Sequence, residues 1–527
     1  MTRFTTVPSP RGAQPGRARQ EPRRALSRRG FLAAVSGTAA AAVLPACAAG
    51  TGGTERLRVA FATAGGQESL DPHAAPLFVD QARAKALFDT VAAYDDDMSV
   101  VPRLAESWEP DASGRRWRIR LREARFHDGS RVSAEDVLYS YRRIADPATG
   151  ASAQAHFADV DFAASRVRSA TELELVLTAP NFEFPSAWGA PGTEIVPSGT
   201  TDFRDPVGSG PFRLRSFEPG SPPGFARFDG HWAGKARPRE VEFVPINDES
   251  ARVSALLSGQ VHYAHDIGAN AARRLEGDPR ARVLSAPHST MQAVALKVDR
   301  PPFDDPRVLR AVLLGVDRQA LVEVALSGKG QVGNDLFGKG LRHYAGDVPQ
   351  RMRDVEAARE LLTRAGAENV EFELLTSDTD PYFERAATVL SQQLADIGVT
   401  ATPRTRPSET YFSEIEDRGV AAHTRTAALP VAGFLGQRLT SGAESGNYTH
   451  FRSERFDTLY SRAVATSDES ERARLLADAQ RIAHAESGLL VWGFSDWNVA
   501  ITPEVGGLRA ATPNSLEWAR FDGAVLG

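Results

Sequence analysis

Residues able to do bond-making chemistry are scattered along this chain rather than grouped. Its 11 histidines include no His-Glu-x-x-His pair, and no Gly-x-Ser-x-Gly turn presents a serine nucleophile. A phosphate-cradling P-loop is missing, as is a glycine-rich dinucleotide loop after a strand. His262 and His265 stand three apart. On a predicted strand that spacing sends them to opposite faces, so they do not make a zinc site. A hydrolytic triad assembled from distant residues is recognised by geometry rather than order and stands as the minor alternative. No cofactor and no metal is expected, and the chemistry left is recognition. The single cysteine, Cys47, allows no intrachain disulfide. It follows an Ala-rich apolar run that begins just after the pair Arg28-Arg29.

The elements that would position a binding site are legible in several stretches. In residues 102–141 the middle alternates: Trp117, Ile119 and Leu121 face one way, and Arg116, Arg118, Arg120 and Arg122 the other. That is the period of a strand with one buried face. Asp111, Ser113 and Gly114 supply the turn of a hairpin pairing 106–109 with 116–122. After a second break at His127-Asp128-Gly129, Ser133 and Asp136 form a capping box. Val137, Leu138, Tyr141 and Ile144 then share one helical face. Strands are expected at 57–61, 90–94 and 241–244, and at two short pieces between 165 and 177. Residues 180–191 read as a loop. Helices are expected over 82–88, 251–257, 354–365 (stopped by Gly366), 386–397 (stopped by Gly398), 456–464 and 469–486. Strand 370–375, the helix after it and a strand starting at 399 imply a parallel βαβ unit. The segment 291–298 reads as a crossing into a second lobe, and 489–492 as the strand returning to the first.

At 527 residues the chain is too long for one ordinary core. Its 42% hydrophobic and 24% charged residues are ordinary for a soluble globular protein. The formal charge of −5 conceals an asymmetry. Residues 1–46 carry eight Arg, no Lys and one acid, a net of +7, so the rest of the chain carries −12. An acidic body argues against nucleic acid as a partner. No run of about twenty apolar residues exists for a multi-span membrane domain.

The order of short motifs carries a resemblance. Leu104-Ala105-Glu106-Ser107-Trp108, Phe126-His127-Asp128-Gly129 and Ala134-Glu135-Asp136-Val137 are similar to the signature of the peptide/nickel family of extracellular solute-binding proteins that serve ABC importers. Val207-Gly208-Ser209-Gly210-Pro211-Phe212, the run from Pro302 to Val312 and Val316-Asp317-Arg318-Gln319-Ala320-Leu321 resemble further family motifs. His262 departs from the pattern, which places an Asp there. The resemblance covers nearly everything from Leu57 to the C-terminus. It implies an α/β fold of the type II periplasmic-binding-protein kind, two lobes hinged by two crossing strands, with an extra subdomain in the first lobe. Residues 55–98, 195–288 and 491–527 would form the first lobe, 99–194 the subdomain and 289–490 the second lobe. Ser27-Arg28-Arg29-Gly30-Phe31-Leu32 resembles a twin-arginine export signal, and Leu44-Pro45-Ala46-Cys47 a lipoprotein cleavage site. Residues 1–46 would then be a signal peptide and 47–54 a tether. Lipidated Cys47 would anchor the protein to the outer face of the cytoplasmic membrane.

The function implied is capture of a small organic solute, peptide-like or carboxylate-bearing, and its delivery to an ABC permease, by a monomer that makes no bonds. A carrier of nickel or a metal chelate within the same family, and a ligand sensor for a signalling partner, are the alternatives. Peptide-binding members carry Trp and then Ala-Asp-Tyr in the second lobe, the Asp holding the peptide ammonium. Here the run is Arg425-Thr426-Ala427-Ala428-Leu429-Pro430, without the Trp or the Asp. The solute is therefore either no ordinary free peptide or has its amine held elsewhere. Arg425 offers a cation for a carboxylate, or is a solvated surface residue. His73, in the loop after the first strand, and Asn447-Tyr448 resemble family positions near the cleft. Phe157 and Trp188 would wall the ligand or pack in the core, and Asn514 lies near the C-terminal return.

Overall fold

Ser133 sits one residue ahead of a helix and accepts a hydrogen bond from the Asp136 amide, while the Asp136 carboxylate accepts from the Ser133 amide at 2.8 Å. The anticipated capping box thus starts the helix that covers a small sheet, and its face of Val137, Leu138, Tyr141 and Ile144 is buried. The computed structural model describes residues 56–63, 68–74, 77–218, 221–408, 410–443 and 446–527. Cys47, Arg28, Arg29 and the tether lie outside them.

The described chain begins with β1 (Arg56–Phe61), α1 (Phe78–Leu87) and the pair β2 (Ala92–Tyr94) and β3 (Val100–Pro102). The small subdomain follows: β4 (Ala105–Pro110), β5 (Arg116–Leu121), α2 (Ala134–Ala145), β6 (Arg166–Ser169) and β7 (Glu172–Val176). The chain then returns through β8 (Phe212–Ser216), β9 (Gly224–Arg227), β10 (Glu240–Pro245), α3 (Glu249–Leu257), β11 (Tyr263–Ala264) and α4 (Ala269–Leu275). β12 (Arg282–Leu296) leads out to α5 (Pro306–Gly315), α6 (Arg318–Ala325), β13 (Gly330–Val332), α7 (Val355–Ala365), β14 (Glu371–Thr376), α8 (Phe383–Ala395) and β15 (Thr400–Thr405). Next come α9 (Tyr411–Asp417), β16 (Ala421–Ala427), α10 (Val431–Arg438), α11 (Glu454–Val464) and α12 (Glu469–Glu486). β17 (Leu489–Ile501) leads back, and β18 (Val505–Gly506) and β19 (Val525–Leu526) close the chain.

One eleven-stranded mixed sheet runs through the molecule in the order β15-β14-β16-β12-β17-β11-β1-β10-β9-β8, with β13 on β17. β14 is parallel to β15 and β16, so the expected βαβ unit is present. The small subdomain has its own four-stranded sheet, β4-β5-β7-β6. The centre of the large sheet is the antiparallel pair β12–β17, in register from Arg282 opposite Ile501 to Ala295 opposite Leu489 with two irregularities.

That pair corrects two boundaries. The crossing expected at 291–298 is a strand of 15 residues beginning at Arg282, and the return expected at 489–492 runs 13 residues. Both were read short because Ser285, His288, Ser495, Asp496 and Asn498 interrupt the apolar pattern. Across the strand pair these polar groups are bonded to one another: Ser285 Oγ donates to Asn498 Oδ1 at 2.6 Å, and the His288 amide to Asp496 at 2.9 Å. The loop expected at 180–191 contains a 3-10 helix, Phe184–Gly189. β16 and α10 were not anticipated. Gly208 and Gly210 are required by close approach, since a Cβ there would stand 1.9 Å from the Leu87 carbonyl oxygen and 2.6 Å from backbone atoms of Leu87 and Phe88.

Separate apolar cores lie along this frame. Phe61, Phe212, Phe225 and Phe243 belong to one in the β1–β10 half, and Trp117, Tyr141, Phe157 and Trp188 to one in the small subdomain. Val312, Leu321, Leu390 and Trp492 belong to one in the β14–β16 half. Polar groups collect where the halves meet.

Candidate functional site

β16 pairs with β12, placing Arg425 opposite Gln292 near the C-terminal end of the strand. In open α/β sheets the strand C-termini face the ligand crevice. Two other strand ends deliver carboxylates there: Asp380 from the loop after β14, and Asp266 just after β11. Arg425 Nη1 donates to Asp380 at 3.0 Å and Nη2 to Asp266 at 3.4 Å. Its guanidinium also lies 5.9 Å from the ring centres of Phe78 and Trp497. Burial works against the Arg425 charge, but the two aspartates outweigh it and hold the guanidinium protonated. Asp380 has no exposed side-chain surface, and burial raises its pKa against the pull of Arg425. Arg425 is therefore neither solvated nor a spare cation. Two carboxylates, from opposite halves of the sheet, already take its charge.

The same layer holds His423, stacked on Phe383 at 5.2 Å with neither ring nitrogen hydrogen-bonded. Burial pushes its pKa down to about 3. A buried ring without partners stays neutral because nothing offsets the desolvation of the cation.

Beside this layer, a cavity of about 260 Å³ opens between residues from both halves. Met291, Phe337, Leu341 and Phe494 give it apolar wall, and Asp96, Asp97, His288, Lys339 and Thr426 give it polar groups. Phe337 is held by stacking on Phe434 at 4.0 Å and 10°. Asp96 is engaged by Arg509 and by Ser515 Oγ. Asp97 is held ionised by hydrogen bonds from Asp95 and Ser99, while Asp95, desolvated and bonded to Asp97, has its pKa pushed up to about 6. Lys339 donates to the Val332 carbonyl at 2.9 Å. It has no carboxylate partner among the described residues, and burial alone lowers its pKa. Asp97 and Lys339 are thus the unlike charges that the cavity offers to a guest.

Ala428 lines this cavity and packs with Tyr94 and Met98. Asn514, at φ +70°, donates to the Ala428 carbonyl at 3.0 Å and so ties the C-terminal segment to the end of β16. Tyr448 lies in a small adjoining cavity with Met291 and Thr426, under the Arg438 guanidinium at 5.6 Å. Asn447 is used locally, donating to the Phe451 carbonyl at 2.9 Å.

The structure does not bring the other sequence candidates to the cavity. His73 is fully buried, bonded to the Glu194 carbonyl at 2.8 Å and to Arg143 at 2.6 Å, with its pKa lowered to about 4 chiefly by burial. Phe157 stacks on Tyr141 at 4.4 Å, and Trp188 packs edge-on against Trp108 and Trp117. Both aromatics are core residues, at 1% and 0% exposure. Sequence reasoning passed over Asp97, Asp266, Lys339 and Asp380. One signal was available for Lys339, which stands between Gly338 and Gly340, both at positive φ.

Among the described residues, the one His/Asp/Glu group compact enough for a metal ion is Glu183, His343 and Glu469. Arg472 and Arg342 already pair with its carboxylates at 2.7 Å and 2.6 Å. No described helix is long and apolar enough to cross a membrane.

Comparison with known proteins agrees with this geometry. The family model for bacterial extracellular solute-binding proteins, family 5 (middle), matches residues 99–428. The glutathione-binding protein GsiB of Pectobacterium atrosepticum is 25% identical over 440 residues, covering 78% of this chain and 84% of that protein. GsiB of Salmonella typhimurium is 25% identical over 478 residues, covering 87% and 91%. Among solved structures, AgaA of A. tumefaciens R10 in complex with agropinic acid gives a TM-score of 0.79 at 22% identity, over 90% of this chain and 99% of that one. DppA of Helicobacter pylori with the peptide STSA gives 0.79 at 20%, over 89% and 98%. NikZ of Campylobacter jejuni with Ni(L-His) gives 0.79 at 19%, over 90% and 99%. These structural likenesses establish the type II periplasmic-binding-protein fold.

Proposed function

The chain belongs to family 5 of the bacterial extracellular solute-binding proteins, and from that premise we propose that it captures a small zwitterionic, carboxylate-bearing solute in the cavity between Asp97 and Lys339. Proteins of this family are not enzymes; they bind small solutes outside the cytoplasm and deliver them to ABC permeases. The observation that carries the finer reading is Lys339, a partly buried ammonium lining the cavity with no acid partner among the described residues. A charge withdrawn from water needs a counter-charge, and a solute carboxylate supplies one. Asp97, across the β2–β3 turn, is the complementary site for a solute ammonium. This would stand in for the acid that, by the family resemblance, peptide-binding members carry near Ala428.

The cavity volume falls just below the range usual for small-molecule sites, about 300–1,000 Å³, which favours a solute of two or three residues over a long peptide. Glutathione, the solute named for the curated relatives, fits that description in carrying both carboxylates and an ammonium. The two lobes, 55–98 with 195–288 and 491–527, and 289–490, close over the solute, and 99–194 rides on the first. The protein acts as a monomer, exported through the Arg28-Arg29 signal and held at the membrane by lipidated Cys47.

Calorimetry on the purified protein tests the solute. The panel is reduced glutathione, its amide lacking free carboxylates, an opine and a nickel–histidine chelate. Binding of a free-carboxylate compound and not of the amide supports the reading. Preference for the nickel chelate, or equal binding of the amide, overturns it.

A further inference from the structure

Glu183 belongs to the small subdomain, far from the cavity in the chain, immediately before the 3-10 helix Phe184–Gly189. Its backbone is held on both sides: the amide donates to Asn181 Oδ1 at 2.9 Å, and the carbonyl accepts from Ser186 Oγ at 2.7 Å. The carboxylate so presented meets Arg472 of α12 at 2.7 Å and Arg342 at 3.6 Å. Glu183 and Arg472 are 11% and 8% exposed at the side chain, so this is a desolvated pair and not a surface contact. Breaking such a pair leaves a buried charge uncompensated.

The contact is broad. The Phe182 amide donates to the Val464 carbonyl at the end of α11 at 2.7 Å. Gln437 of α10 lies 3.2 Å from the His156 ring. Arg342 also holds Glu469 of α12, in two bonds of 3.0 and 2.6 Å, and His343 reaches the same carboxylate at 2.9 Å. Arg342 stands one residue past Leu341, and Phe337, Lys339 and Leu341 line the cavity.

We infer that Glu183 is a positioning residue for the solute cavity: through Arg472 and Arg342 it fixes the wall formed by residues 337–341, although it touches no part of the cavity itself. The small subdomain is then a brace for the binding site. The inference rests on the cavity being the solute site, but its test needs no solute, so the two fail separately.

Hydrogen exchange of the full chain is measured by mass spectrometry without added ligand, for the natural protein, Glu183→Gln and Glu183→Asp. In Glu183→Gln, the segments 181–184 and 337–343 exchange about tenfold faster, Glu183→Asp restores part of the protection, and β1 and α5 are unchanged. Unchanged exchange of 337–343 in Glu183→Gln overturns the inference. So does acceleration of every segment alike, which marks a merely structural role.

Discussion

Arg425 Nη1 stands 3.0 Å from a carboxylate oxygen of Asp380, a side chain with no exposed surface. The pair joins β16 to the loop after β14, and Asp266 completes it from the other half of the sheet at 3.4 Å. Arg425→Met removes the one cation facing two acids. The expected loss in stability at neutral pH is about 3–5 kcal/mol, read by denaturant unfolding. Without Arg425 the Asp380 pKa climbs further, so the folded variant binds an extra proton and regains stability as the pH falls below neutral. Arg425→Met with Asp380→Asn recovers much of the loss. A single variant as stable as the natural protein shows that the pair contributes nothing.

Lys339→Met should leave the fold intact, since its ammonium bonds only one carbonyl, at Val332. Binding of a carboxylate solute should weaken about tenfold to a hundredfold, the loss of one charge-assisted hydrogen bond of ~1.5–3 kcal/mol. Lys339→Arg should keep part of the affinity. Titration calorimetry checks both, and undiminished binding in Lys339→Met removes this residue from the site.

His423 makes stability pH-dependent with a defined sign. Its pKa is lowered to about 3, from an ordinary value of 6.5. Between those values the unfolded chain binds a proton that the folded one does not, so stability falls as the pH drops below 6.5. The slope from this group is about 1.4 kcal/mol per pH unit. His423→Phe keeps the stacking on Phe383 and should flatten the stability curve between pH 6 and 4 by about one proton. A curve unchanged in slope shows that His423 protonates freely in the folded state.

In the proposed lipoprotein, Cys47 would carry two acyl chains, enough for stable attachment to a membrane. Cell fractionation should find the protein with the membrane, and Cys47→Ser should release it to the soluble fraction. Replacing Arg28 and Arg29 by Lys should retain precursor inside the cell. A Cys47→Ser form that stays membrane-bound with its leader removed shows that anchoring uses another route.

Local structure was readable because its causes are local. The Ser133–Asp136 capping box, the alternation of Trp117, Ile119 and Leu121, the stop at Gly366 with φ +67°, and the whole of α12 are all set by neighbours a few residues away. The ordered motifs from Leu104 to Val137 carried the family. The charges were not readable. Arg425 is neutralised by residues 45 and 159 positions distant, and no periodicity reports such pairs. Lys339 has no acid partner among the described residues, and Phe157 and Trp188 are core rather than wall because α2 and the four-stranded sheet close over them. Sequence by itself determined most of the local elements, though not β16, α10 or the full length of the crossing strands, and the class of work this protein does. Tertiary structure alone decided which charges are spent on each other, because electrostatic pairing depends on distance in space and on exclusion of water, and neither follows from spacing along the chain.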